Sequence, residues 1–266
     1  MFEPYRLGPK HRSDDEYISF REVRDRFDFY GIKIGGWVTQ REQEAAAVHF
    51  YDALCDLMQI LGVPEGVISL RGSLALHYGT GGRPGVAAHY SPAERVFALA
   101  KNAGPGSIAH EWFHAFDHYI GQHAFMDLPA RCFASSAWLG DATPAVHRIN
   151  DLLFACFRSV MLDDDGESPS PQFRASAAQD KRHNILYYSQ PEEMCARAFE
   201  AFVQDAAIKN NFLVKGTKQS EEAELGLYPQ GEQRLRSNRA FAAYFSALGA
   251  GVKAQKPSAT AAHLKR

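Results

Sequence analysis

The apolar positions change period several times along the chain. After a polar, irregular opening over residues 1–26, Phe27–Val38 (FDFYGIKIGGWV) reads as a strand-like stretch broken by glycines. Thr39 followed by Glu42 has the spacing of a capping box. It opens a predicted helix with Val48, Tyr51, Leu54, Leu57 and Leu61 on one face, ended by Gly62 and Pro64. From Ile68 the period becomes two: Ile68, Leu70, Leu74, Leu76 and Tyr78 face one way, Ser69, Arg71, Ser73, Ala75 and His77 the other, which predicts a half-buried strand. Gly79–Gly85 is expected as a turn, Val86–Tyr90 and Arg95–Ala100 as two short strands, and Asn102–Gly106 as a loop. A helix is expected from Ser107 to Ile120, with Gly121 as its stop.

The second half reads as helical. Thr143 and Pro144 make an N-cap and first-turn pair for a helix turning Val146, Ile149, Leu153, Cys156 and Val160 inward. Asp163–Pro171 is polar and expected as a mobile loop. Helices follow from Ser189 to about Ala207 and around Arg236–Leu248. The expected organisation is α+β: one domain over residues 27–252, a small mixed sheet in its N-terminal half packed on the helix from Ser107 and helices thereafter, with a disordered tail over 253–266.

Composition narrows the function classes. With 45% apolar and 23% charged residues, the 266-residue chain has material for a core. A formal charge of −2 offers no broad basic field to nucleic acid or anionic lipid. No apolar run is long enough to span a bilayer, and the opening segment has no secretory h-region. The four cysteines are scattered, as expected of reduced thiols in a cytoplasmic protein.

One motif carries chemistry. His110-Glu111-Trp112-Phe113-His114 is an HExxH sequence inside the helix predicted from Ser107. Residues four apart share a helix face, so both imidazoles can reach one metal ion, and Glu111, about 100° around, can reach a water beside it. Two imidazoles and a carboxylate suit Zn2+ with one open position, and the adjacent glutamate suits a general base. A metzincin would have Gly and His where Asp117 and Ile120 stand, so the third ligand is sought on a later helix. SQPEEMCARAFEAFVQD offers Glu192, Glu193 and Glu200. Ser189 and Glu192 have capping-box spacing, which would turn Glu192 back to its own helix end and leave Glu193 free, followed by small Ala196. Alternatively, Glu193, Arg197 and Glu200 form a solvated salt-bridged face.

The stretch HYSPAERVFALAKNAGPGSIAHEWFHAFDHYIG together with YYSQPEEMCARAFEAFV resembles the bacterial CLCA_X proteins. These are similar in turn to the zincin-like domain attached to large polyvalent proteins of phages and conjugative elements. The resemblance runs from about Phe27 to Leu248. It implies a gluzincin-type zinc metallopeptidase fold with His110, His114 and Glu193 as ligands and Glu111 as base.

Further roles follow from position. Asp117 shares the helical face of both histidines and is expected to orient a ligand imidazole, against the alternatives of a helix-terminal surface charge or a structural hydrogen bond. His118 reads as a surface histidine of a last helical turn. Tyr187, Tyr188 or His183 could stabilise an oxyanion, although tyrosines at a helix entrance also serve as packing residues. His77 and His89 read as structural. Val86–Tyr90 is a candidate sheet edge for an extended peptide. The leading expectation is therefore a zinc metallopeptidase acting on a protein or peptide, with no sequence signal for or against self-association. The alternatives are a small-amide hydrolase, a catalytically silent zincin that binds a partner, and action near DNA through the basic tail Lys253, Lys256, Lys265 and Arg266.

Overall fold

The computed structural model describes residues 4–13, 15–80, 88–101, 106–140 and 142–255. In chain order the elements are β1 (Arg6–Leu7), α1 (Phe20–Phe27), β2 (Gly31–Ile34), α2 (Gln40–Leu61), α3 (Glu65–Ile68), β3 (Ala75–Tyr78), β4 (Ala88–Ser91) and β5 (Val96–Leu99). They continue with α4 (Ile108–Ala124), α5 (Ala134–Leu139), α6 (Asn150–Met161), α7 (Pro171–His183), α8 (Pro191–Asp205), β6 (Lys209–Asn210), α9 (Glu221–Glu224) and α10 (Gly231–Gln255). This is a mixed α+β architecture. Four strands form one sheet in the order β2-β3-β5-β4, with β4 antiparallel to β5 and the other pairings parallel; β1 and β6 make a separate pair.

Among the described residues β4 is thus an edge; α4 packs against β4, β5 and α8 and, through Trp112, Phe113 and Phe116, against α10. The aromatic residues of α4 explain that arrangement. Phe199 of α8 lies 4.9 Å from the Phe113 ring and 5.5 Å from Trp112, while Phe245 of α10 lies 5.3 Å from Phe116. These rings are buried, and each contributes roughly 1.5–3 kcal/mol by leaving water. Trp112 also donates to the Ile68 carbonyl at 2.9 Å, satisfying its indole N–H inside the core.

Local signals explain several boundaries. The Thr39–Glu42 capping box forms and Gly62 closes α2 in a left-handed conformation. Other expectations are corrected. Residues 1–26 are not irregular throughout: they contain β1 and most of α1, capped by Ser19 and Glu22, with Phe20, Val23 and Phe27 in the core. The strand expected from Ile68 begins only at Ala75, because Leu70, Arg71 and Gly72 take left-handed backbone angles in a tight turn. Burial does not follow the two-residue alternation either: Ser69 and Ala75, on the expected polar side, are buried with Ile68, Leu70, Leu74 and Leu76. Gly121 does not stop α4, which runs on to Ala124. A Cβ there would stand 2.9 Å from Leu128 Cδ2 and 3.2 Å from the Ala134 nitrogen, so this glycine permits close packing.

Thr143 and Pro144 do not open a helix. Pro144 pairs with Phe125 in an antiparallel bridge whose flanking bonds, Met126 N to Thr143 O and Ala145 N to Ala124 O, need no proline N–H. Helix α6 starts at Asn150, and Val146 is fully exposed. The Asp163–Pro171 loop closes through a Leu162–Pro169 bridge and leads into α7, a helix the apolar pattern did not predict because its mean composition is polar. Lys253–Gln255 belong to α10 rather than to a tail, with Lys253 Nζ donating to Gly62 O. Residues 81–85 of the expected Gly79–Gly85 turn, Val86 and Ala87, residues 102–105 of the expected loop, and the tail from Lys256 lie outside the described residues. Among the described residues no helix is long and apolar enough to cross a membrane.

Candidate metal centre

Helix α4 presents His110 and His114 one turn apart on the same face, their rings 4.6 Å apart between centroids. The two Nε2 atoms face each other at 3.0 Å. Helix α8, held against α4 by Phe199, brings Glu193 to them: Oε1 is 3.3 Å from His114 Nε2 and Oε2 is 3.5 Å from His110 Nε2. One donor atom from each of the three residues lies within 4.8 Å of the others.

The donor set fits a cation. Glu193 is 8% exposed, and its buried Oε2 lacks a hydrogen-bond partner although Arg197 Nη2 stands 3.4 Å away. A buried carboxylate oxygen without a hydrogen-bond partner is costly, and a cation among the three donors would satisfy it. Burial would raise the Glu193 pKa, but the neighbouring His110 and His114 outweigh it and hold the carboxyl well below its ordinary range. Burial would likewise lower His110, yet the charges of Glu200 and Glu193 raise it above its usual value.

Glu111 follows His110 around the helix, buried to 8% exposure, and lines a cleft of about 380 Å³ in front of the histidines. Burial raises its pKa, which makes the carboxylate a stronger base than one in water. The cleft is walled by β4 through Ala88, His89 and Tyr90, and opposite by Phe133, Tyr187 and Gln190. His89, read from the sequence as structural, is exposed in this wall.

The neighbours of the cluster differ from expectation in instructive ways. Ser189 and Glu192 form no capping box: Ser189 N and Oγ donate to Asp180 Oδ2 at 2.9 and 2.5 Å, and Glu192 accepts from Ser136 Oγ at 2.6 Å. The cap position of α8 is Gln190, followed by Pro191. The capping premise fails, while Glu193 is still the glutamate placed beside both histidines. Glu200, considered as a ligand, instead accepts from His110 Nδ1 at 2.9 Å and from the Tyr228 hydroxyl at 3.3 Å. It is therefore the carboxylate that orients an imidazole of the cluster.

Asp117 does not take that role. It is fully buried and accepts from Ser135 N at 2.9 Å and Ser135 Oγ at 2.5 Å, fastening α5 to α4, while His114 Nδ1 has no hydrogen-bond partner. Burial outweighs those bonds and pushes the Asp117 pKa up to about 7. His118 is buried in mid-helix rather than exposed in a last turn, bonded through Nε2 to Ala130 O and through Nδ1 to the Tyr90 hydroxyl.

Tyr187, 41% exposed, lines the cleft, where partial desolvation and the Glu193 charge raise its phenol pKa. Tyr188 does not line it. Both rings flank the Arg197 guanidinium, at 5.4 and 5.3 Å, and Asp180 pins the segment by accepting from the Tyr187 and Tyr188 nitrogens at 3.0 and 2.8 Å. His183 is exposed at the end of α7 and outside the cleft lining. The Asp180 anchor and the Glu200–Tyr228 pair lacked any sequence signal, since each joins segments by geometry alone.

Residues 179–252 match the family model described as large polyvalent protein-associated domain 1. That span takes in the end of α7, all of α8 and most of α10, and so includes Glu193, Arg197, Glu200 and Tyr228; α4 lies outside it. No curated protein and no solved structure matches the chain.

Proposed function

We propose that His110, His114 and Glu193 hold a zinc ion and that the chain is a zincin-like, gluzincin-type metallopeptidase acting on a protein or peptide. The observation that carries this reading is the convergence of three donors within 4.8 Å around a buried carboxylate oxygen that has no hydrogen-bond partner. When bound, zinc supplies a Lewis acid that polarises the scissile carbonyl and brings the pKa of a water towards about 7.

The chain's own residues do the remaining work. Glu111 takes the proton from the attacking water and delivers it to the leaving amine. Its burial raises its basicity for that transfer. Tyr187, protonated and on the cleft wall, donates to the oxygen that gains charge. Tyr188 has no such part, because it does not line the cleft. Strand β4, paired among the described residues with β5 alone, offers its outer edge to an extended backbone. Glu200 holds His110 in one tautomer and orientation. Four free cysteines, of which Cys55, Cys156 and Cys195 are buried, support a cytoplasmic setting.

Metal analysis tests the reading. The purified chain should carry about one zinc. His114→Ala should lose most of it, and Glu193→Ala should weaken binding far more than Glu192→Ala. Full zinc occupancy in His114→Ala would refute the ligand assignment.

A further inference from the structure

On a different face of α4 from the histidine cluster, two adjoining cavities of about 310 and 370 Å³ share a wall of Leu70, Arg71, Tyr119 and His123. The first has an apolar floor from Phe116, Ile120, Ile149, Leu248 and Val252, with Arg148 and His147 exposed beside it. The second adds Arg95 and His118. No aspartate or glutamate lines either cavity among the described residues.

The positive charge is therefore left without a compensating group in the lining. Its effect registers on the neighbouring imidazoles. Burial lowers the His123 pKa and Arg71 lowers it further; at His118 burial also lowers it, and Arg95 adds to that against the bond to Ala130. Arg71 and Arg95 moreover sit at φ of 58° and 52°, a left-handed region in which arginine is disfavoured relative to glycine or asparagine. Both arginines line the second cavity, and Arg71 lines the first as well.

We propose that the joined cavities bind an amphipathic organic anion, with its carboxylate or phosphate head at Arg71 and Arg148 and its apolar body along the floor between α4 and α10. Arg95 strengthens the field from the adjoining cavity. The apolar floor selects against a bare inorganic anion, and the guanidinium groups select against a neutral lipid. None of these residues belongs to the metal cluster, so the site stands or falls separately from the metallopeptidase reading.

Calorimetric titration of the full chain with dodecanoate and with dodecyl phosphate, each below its micelle-forming concentration, tests the proposal. At least one should bind saturably at one site per chain, and the ranking of the two identifies the head group. Dodecanol and inorganic phosphate should each bind at least about tenfold more weakly. Arg71→Asn, which suits the left-handed backbone, and Arg148→Ala, at an exposed position, should each weaken binding about tenfold with unchanged circular dichroism. Absence of saturable binding by both amphiphiles, equal affinity for dodecanol, or unchanged affinity in both variants would overturn the proposal.

Discussion

Glu200 provides a graded test of how the candidate centre is built. Its carboxylate is 5% exposed, 2.9 Å from His110 Nδ1 and 3.3 Å from the Tyr228 hydroxyl. Glu200→Gln keeps the shape and an acceptor oxygen but removes the charge. A charge-assisted hydrogen bond contributes about 1.5–3 kcal/mol against roughly 1 for a neutral one, so the loss should be about 0.5–2 kcal/mol, or about two- to thirtyfold in zinc affinity. Glu200→Ala removes the acceptor too, and loss of such a partner typically costs about 10–100-fold. Tyr228→Phe acts only through the longer bond and should stay within about threefold. Competition with a chromogenic chelator at fixed pH gives all three affinities, and circular dichroism separates a lost partner from a lost fold. If Glu200→Gln and Glu200→Ala both bound zinc within about twofold of wild type, orientation of His110 by Glu200 would be refuted.

Further outcomes concern stability. Arg234 pairs with Asp205 through Nε at 2.6 Å and Nη2 at 3.0 Å, and also reaches the Ala201 and Thr217 carbonyls, tying α10 to the end of α8. Arg234→Ala should cost about 3 kcal/mol and lower Tm by about 6–12 °C; a shift under about 2 °C in a thermal melt would show the pair to be idle. Burial of Asp205 is outweighed by its bonds from Arg234, Lys218 and Asn238, which hold its pKa below the unfolded value near about 3.9. The folded pKa being depressed, this contribution is complete above that value and is lost as pH falls towards the folded pKa. The stability gap between wild type and Asp205→Asn should therefore narrow below about pH 4, and a gap that widened would reverse the sign. Gly121→Ala gains about 1 kcal/mol of helix propensity but meets the Ala134 nitrogen at 3.2 Å and Cys132 O at 3.3 Å. Overpacking of about 1–3 kcal/mol should win, and a raised urea midpoint would contradict this.

What was legible in the sequence was local. The Thr39–Glu42 box and the four-residue spacing of His110 and His114 involve neighbours on one helix, so the pattern alone places them. Ser19 and Glu22 carry the same capping signal as Thr39 and Glu42, yet α1 is masked by its charged residues around just three buried positions. Ser189 and Glu192 had the right spacing and the wrong outcome, because Asp180 from the preceding helix end and Ser136 from α5 offered better partners. Asp117 lay on the expected face, but Ser135 captured its carboxylate. The bond between Glu200 and His110 crosses two helices whose contact is set by aromatic packing, and no short-range rule encodes it.

In the proposed function Glu111 performs proton transfer at a zinc centre while contributing little to holding the ion. The most direct measurement compares wild type with Glu111→Gln for zinc content and for cleavage of an unbiased peptide library, each with and without a chelator. Wild type should show chelator-sensitive cleavage, and Glu111→Gln should keep its zinc content with turnover reduced at least about 100-fold. Cleavage at wild-type rate by zinc-loaded Glu111→Gln, or no cleavage by zinc-loaded wild type across the library, would contradict the proposed function.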